Sequence, residues 1–183
     1  MEQEIRYTSA NGIRFAYYES GTGPLVLLLH GFPDTPDTWN DIRPRLASAG
    51  YRVVAPFMRG YPPSEISPNG DYSALTLGKD VLALIEACGE RQAVVIGHDW
   101  GAFAGYAAAN LQPESIRKLV AAAIPHPSSL KFNLRTLLRA RHFLTFQMRA
   151  RTIAQLRRDN FAGIDEIYRR WSPNWNVSAA DLA

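Results

Sequence analysis

Residues 94–103 read "VVIGHDWGAF". The first three are apolar and β-branched, and the last four resume as "WGAFAGYAAANLQPE", rich in small helix formers. The stretch therefore predicts a buried strand that turns sharply into a helix, with Asp99 at the turn and Gly97 and Gly101 on either side of it. Small residues at both positions let the two backbone arms pass closely. The side chain between them is then held up and out of the sheet, in a strained backbone conformation. The pattern Gly-x-nucleophile-x-Gly at a strand-to-helix turn is a nucleophile elbow. The bland alternative is an aspartate capping a helix N-terminus.

Working outward, strands and helices alternate. "EIRYTSANGIRFAYYESG" predicts two short strands joined at Asn11-Gly12, a strong hairpin dipeptide. "PLVLLLHG" is a continuous apolar run, suited to a strand covered on both faces. "TPDTWNDIRPRLASAG" predicts one helix, capped by Thr35 or Asp37 and closed by Gly50. "YRVVAPF" is a strand, and "YPPSEISPNGDYS" a loop rich in Pro, Gly and Ser. "LTLGKDVLALIEACGE" predicts a helix with Val81, Leu82, Leu84 and Ile85 apolar. After "QAVVIG" and the helix behind Asp99, "IRKLVAAAIP" is a sixth strand. The expectation is an α/β fold: a mostly parallel sheet with helices on both faces. Residues 1–124 form this core, and the strandless helical pattern of 125–183 is a separate unit.

Composition narrows the function. The chain of 183 residues is 46% hydrophobic and 20% charged, an ordinary globular balance. Its single cysteine, Cys88, rules out an internal disulfide framework and fits a reducing compartment. The polar, acidic start "MEQEIRYTSANG" is unlike a signal peptide, and "PLVLLL" is too short to span a membrane. The expected location is the cytoplasm, with no membrane partner. Residues 131–170 hold ten Lys and Arg against three acids. Their interleaved aromatics read as packing on amphipathic helices, so nucleic acid is not an expected partner. No metal or cofactor pattern is present.

An aspartate in the elbow changes the chemistry. Serine there attacks carbonyl carbon and needs a histidine to take its proton. Aspartate, with a reference pKa of about 3.9, is ordinarily ionised at neutral pH. It can attack saturated carbon, opening an epoxide or displacing a halide, and leaves an alkyl ester on its own carboxyl. Water then attacks that ester, and two backbone N–H groups hold the oxyanion. The donors are expected at Trp100, which begins the helix, and at Phe32 in "HGFPD" (30–34), the loop after the strand 25–29.

"HGFPD", "GHDWGA" and "IPHP", with "RGYPPSE" (59–65), resemble the epoxide hydrolase branch of the α/β-hydrolase fold over residues 1 to about 175. The resemblance implies Asp99 as nucleophile and Phe32 and Trp100 as the oxyanion hole. It implies a cis Pro33, supporting roles for His30, Gly31, Gly97, His98 and Gly101, and a structural His126. It also implies a helical cap after the sixth strand, matching the change at Pro125. Two cap residues of the family protonate the epoxide oxygen, and "HFLTFQ" sets His142 in the first such place. The family's order is nucleophile, acid, then histidine, the last two after the cap. Only His126 and His142 follow Asp99, so a base, and with it the last core strands, is expected outside these residues, on a longer chain or a complementing part. The alternatives are a haloalkane dehalogenase using the same aspartate, and a non-catalytic remnant that binds ligands or partners; apart from the substrate, the partner expected is a further copy in an oligomer or the complementing C-terminal part. The expected substrate is a small apolar epoxide or halide.

Overall fold

A computed structural model describes residues 4–129, 153–154, 156–157 and 161–171. The chain divides into two units, Met1–Ser129 and Leu130–Ala183.

In the first unit, β1 (Arg6–Ala10) and β2 (Ile13–Ser20) form an antiparallel hairpin. Asn11 and Gly12 both have positive φ, 42° and 77°, which is the geometry of a two-residue type I′ turn. The sheet continues with β4 (Arg52–Pro56), β3 (Leu25–Leu29), β5 (Ala93–His98) and β6 (Ile116–Ala122), in the order β1-β2-β4-β3-β5-β6. β2 runs antiparallel to β4, and the remaining contacts are parallel.

Every residue of β3 is buried, because both faces of the sheet are covered. Leu25, Leu27 and Leu29 pack with Leu77, Val81, Leu84 and Ala104, on the side of α2 (Ala74–Ala87) and α3 (Trp100–Leu111). Val26 and Leu28 face Trp39 and Leu46 on the other side. That is why the run carries no polar alternation.

The helix expected across 35–50 is broken. Pro36–Trp39 is a short 3-10 turn capped by Thr35, and α1 covers only Ile42–Ser48. Proline lacks an N–H and fits only the first turn of a helix. Pro44 therefore fixes the start of α1 close behind it, and Asn40 and Asp41 fall outside.

The loop after β4 is stitched to the sheet. Ser64 Oγ donates to the Phe57 carbonyl at 2.6 Å and accepts the Ala16 N–H at 2.8 Å. Arg59 reaches Asp80 of α2 with two hydrogen bonds, 2.8 Å from Nε and 2.6 Å from Nη2. A further bond from Arg59 Nη2 goes to the Asn11 carbonyl at 3.0 Å. Hairpin, loop and helix are thus joined at one buried ion pair, both side chains of which are almost wholly covered.

In the second unit, α4 (Ala162–Trp171) has Ile164, Ile167 and Tyr168 half-buried at helical spacing. No described helix is long and apolar enough to cross a membrane.

Candidate active site

β5 ends at His98, and α3 begins two residues later at Trp100. Asp99 makes the whole turn, with φ 53° and ψ −117°. Positive φ is uncommon for a residue with a side chain, and such strain persists where the surroundings over-determine it. Here they do. A Cβ on Gly97 would strike the Gly101 carbonyl, and one on Gly101 would strike the Leu29 carbonyl. The strand, the turn and the neighbouring strand β3 are therefore in backbone contact, and α3 starts directly over the sheet.

The end of β3 faces this turn. Phe32 N–H donates to Asp99 Oδ1 at 3.1 Å. A Cβ at Gly31 would collide with Asp99 Cβ and lie 2.8 Å from its Oδ1, so only glycine admits the carboxylate there. The Phe32–Pro33 bond is cis. Asp99 is half-buried and is in no ion pair among the described residues.

His30 is fully buried. Its Nε2 lies 3.0 Å from the Met58 N–H, an obligate donor, so Nε2 accepts. Nδ1 then carries the proton and donates to the Gly31 carbonyl at 3.0 Å. Burial holds the His30 pKa below the usual histidine value, which suits this neutral tautomer. His30 so links the loop carrying Phe32 to the loop after β4. His98 Nδ1 is buried without a hydrogen bond among the described residues, 3.9 Å from Asp34 Oδ2. His126 is exposed; its Nδ1 is 2.7 Å from Ser128 Oγ, and its ring meets Tyr106 edge-on. His142 lies outside the described residues. Among those described, no group of His, Cys, Asp or Glu comes together to hold a metal.

Tyr61 was not singled out by the sequence. Its ring packs edge-on against His30, with centroids 4.6 Å apart. Burial, then the charges of Asp99 and Asp34, push its phenol above its ordinary pKa. Only its place in "RGYPPSE" pointed toward the site. Asp80 left a clearer trace, as an acid inside the apolar stripe Leu77, Val81, Leu84.

A family model described as alpha/beta hydrolase fold matches residues 24–176. The chain is 42% identical to the AB hydrolase superfamily protein YfhM of Bacillus subtilis, over 70% of this chain and 46% of that one. It is 40% identical to an epoxide hydrolase of Caballeronia sordidicola, over 64% of this chain and 36% of that one. Among solved structures, an inhibitor-bound epoxide hydrolase of Bacillus megaterium matches with a TM-score of 0.87 and 30% identity, covering 97% of this chain and 64% of the other. The chain spans less than half the length of these two curated relatives.

Proposed function

The chain belongs to the α/β-hydrolase fold family, and we propose that it carries the nucleophile and oxyanion hole of an epoxide hydrolase-type site. The observation that carries this reading is Asp99 at positive φ between strand and helix, with Oδ1 against the Phe32 N–H. Epoxide hydrolases among its relatives support the substrate class.

Oδ1 is held, which leaves Oδ2 to attack. Oδ2 forms a bond to one epoxide carbon as that carbon's ring C–O bond breaks. The ring oxygen leaves as an alkoxide and takes a proton from an acid, for which we assign His142 on the unit that follows the core, residues 125–183, acting as a cap. The product is a hydroxyalkyl ester of Asp99. Oδ1 is now the ester's carbonyl oxygen, already facing Phe32. When water adds to Cγ, this oxygen takes the negative charge. The Phe32 N–H and the Trp100 N–H, at the N-terminus of α3, stabilise it. Collapse releases the diol and restores the carboxylate.

Water addition needs a general base, worth typically about 10²–10⁴-fold. The histidines after Asp99 are His126, engaged with Ser128, and His142. We assign neither as the base, so in this 183-residue polypeptide the ester accumulates.

The test pairs a small epoxide with a small alkyl chloride, each incubated with the protein and with Asp99→Asn. An adduct equal to the whole epoxide mass, absent from Asp99→Asn, is expected. Chloride release without epoxide addition would favour the dehalogenase reading. Reaction with neither would leave a binding remnant. Steady multiple turnover of the epoxide would contradict the missing-base assignment.

A further inference from the structure

We propose that Asn69 is a site of spontaneous modification, at which the folded chain loses ammonia and gains a negative charge in the loop that leads into α2. The proposal is independent of the reading of Asp99.

The sequence holds two Asn-Gly pairs, Asn11-Gly12 and Asn69-Gly70. In such a pair the backbone nitrogen of glycine can attack the amide carbon of asparagine, because glycine has no Cβ to hinder the approach. The two pairs sit in opposite surroundings.

Asn69 lies in an exposed turn with Pro68 and Gly70. Its Oδ1 is held on two sides: Ser67 Oγ–H donates to it at 2.7 Å, and the Asp71 N–H at 3.1 Å. A backbone N–H only donates, so the atom it meets is the oxygen and not the nitrogen. Two donors on a carbonyl oxygen draw charge from Cγ, and they are placed to hold the oxyanion that forms when a nucleophile adds there. Ser67 is itself buried, and its N–H donates to the Tyr72 hydroxyl at 3.1 Å, which fixes the first donor. Nδ2, the leaving group, makes no hydrogen bond among the described residues. Gly70, the nucleophile, has φ 70° and nothing within 4 Å of where a Cβ would stand. Its N–H donates to the Ser67 carbonyl at 3.2 Å, a single bond that opens when the exposed turn does.

Asn11 is the opposite case. Its Nδ2 donates to Asp80 Oδ1 at 2.6 Å and to the Thr76 carbonyl at 3.4 Å. Donation to a carboxylate anchors the leaving group and pushes electron density toward Cγ, the reverse of what the donors at Asn69 do. Gly12 is confined by the pairing of β1 with β2 on either side of the turn.

Gly70 N gives its proton to a solvent base and forms a bond to Asn69 Cγ, and the C=O electron pair moves to Oδ1. The oxyanion collapses, the Cγ–Nδ2 bond breaks, and Nδ2 takes a proton from water and leaves as ammonia. Water then opens the five-membered imide. Breaking the bond from Gly70 N to Cγ gives an aspartyl residue at 69. Breaking its bond to the main-chain carbonyl carbon gives an isoaspartyl residue, with an extra methylene in the backbone. One water is consumed and one ammonia released. The new charge stands two residues before Asp71, whose carboxylate accepts the N–H of Ser73 at 2.8 Å. Ser73 is the N-cap of α2, its Oγ accepting the Thr76 N–H at 3.3 Å. Conversion therefore loosens the start of α2.

The test incubates the full chain, folded and in urea, in mildly alkaline buffer made with heavy-oxygen water, and follows both Asn-Gly peptides by mass. The folded protein should take up heavy oxygen, with the mass change of amide to acid, at Asn69 and not at Asn11. In urea both should convert at similar rates. Ser67→Ala should slow Asn69 in the folded protein roughly fivefold, the worth of one hydrogen bond, and leave the rates in urea unchanged. Asn69→Gln, whose ring closure would need a six-membered imide, should stay unmodified at that position. An Asn11 that converts as fast as Asn69 in the folded protein, or an Asn69 that persists in the fold while converting in urea, overturns the proposal. So does a folded Ser67→Ala that converts at the wild-type rate. Should Ser67→Ala fail to fold, the comparison of folded and urea-treated wild type decides alone.

Discussion

Asp80, within α2, and Asp99, at the end of β5, bring the same carboxyl group into opposite surroundings. Asp80 accepts two hydrogen bonds from Arg59 and a third, at 2.6 Å, from Asn11 Nδ2. Its charge is neutralised by a partner as buried as itself. Among the described residues, the Asp99 side chain accepts one hydrogen bond, from Phe32, and sits on a backbone that only close glycine packing sustains. The first carboxylate has its lone pairs engaged and holds three elements together. The second leaves Oδ2 without a hydrogen bond among the described residues, as the proposed attack requires. Identity of residue says little here; the number and charge of the donors around it separate the structural aspartate from the proposed nucleophile.

The largest effect should come from breaking that distinction at Asp80. Asp80→Ala leaves Arg59 charged, buried and unpaired, and should cost about 3–5 kcal/mol in urea unfolding. Asp99→Asn should change unfolding by less than about 0.5 kcal/mol. Equal losses at the two positions would erase the contrast.

Gly31→Ala is next. The new methyl meets Asp99 Cβ, so stability should drop by about 1–3 kcal/mol, and alkylation by epoxide should fall as Oδ1 leaves the Phe32 N–H. Retained alkylation with the loss of stability would mean the carboxylate does not need that seat.

A smaller change of opposite sign is expected at Asp99 itself. Glycine tolerates φ 53° freely, so Asp99→Gly should raise unfolding free energy by about 1 kcal/mol while abolishing reaction. A destabilised variant would show that the turn is not strained.

The smallest effect concerns the link between the two regions. His30 has its pKa lowered in the fold by burial. The unfolded chain, with a value near 6.5, takes up the proton first. The stabilisation is therefore present above about pH 6.5 and is lost as pH falls below it. Protonation would also set two donors, His30 Nε2–H and Met58 N–H, against each other. Urea midpoints should fall between pH 7 and pH 5.5, and His30→Gln should flatten that slope.

The sheet was legible because its signals are local. The Asn-Gly turn, the unbroken apolar run of β3 and the glycines around Asp99 each act on their own few residues. The same holds for Pro44, whose meaning for the start of α1 was present in the sequence but outweighed by the general helical pattern of 35–50. What could not be read were pairings across distance. Asp80 announces itself as an acid in an apolar stripe, yet nothing local selects Arg59, 21 residues earlier, as its partner. Tyr61 approaches Asp99, and His30 approaches Met58, only because β3, β4 and β5 are neighbours in the sheet. Such contacts depend on strand order, which no short window contains.

Asp99 is the proposed nucleophile. The direct measurement is peptide mapping by mass after the protein has met a small epoxide and been quenched in acid. One equivalent of epoxide mass is expected on the peptide containing Asp99, and none in Asp99→Asn. An adduct on another side chain, such as the Cys88 thiol, or an Asp99→Asn variant that reacts as fast as wild type, would contradict it.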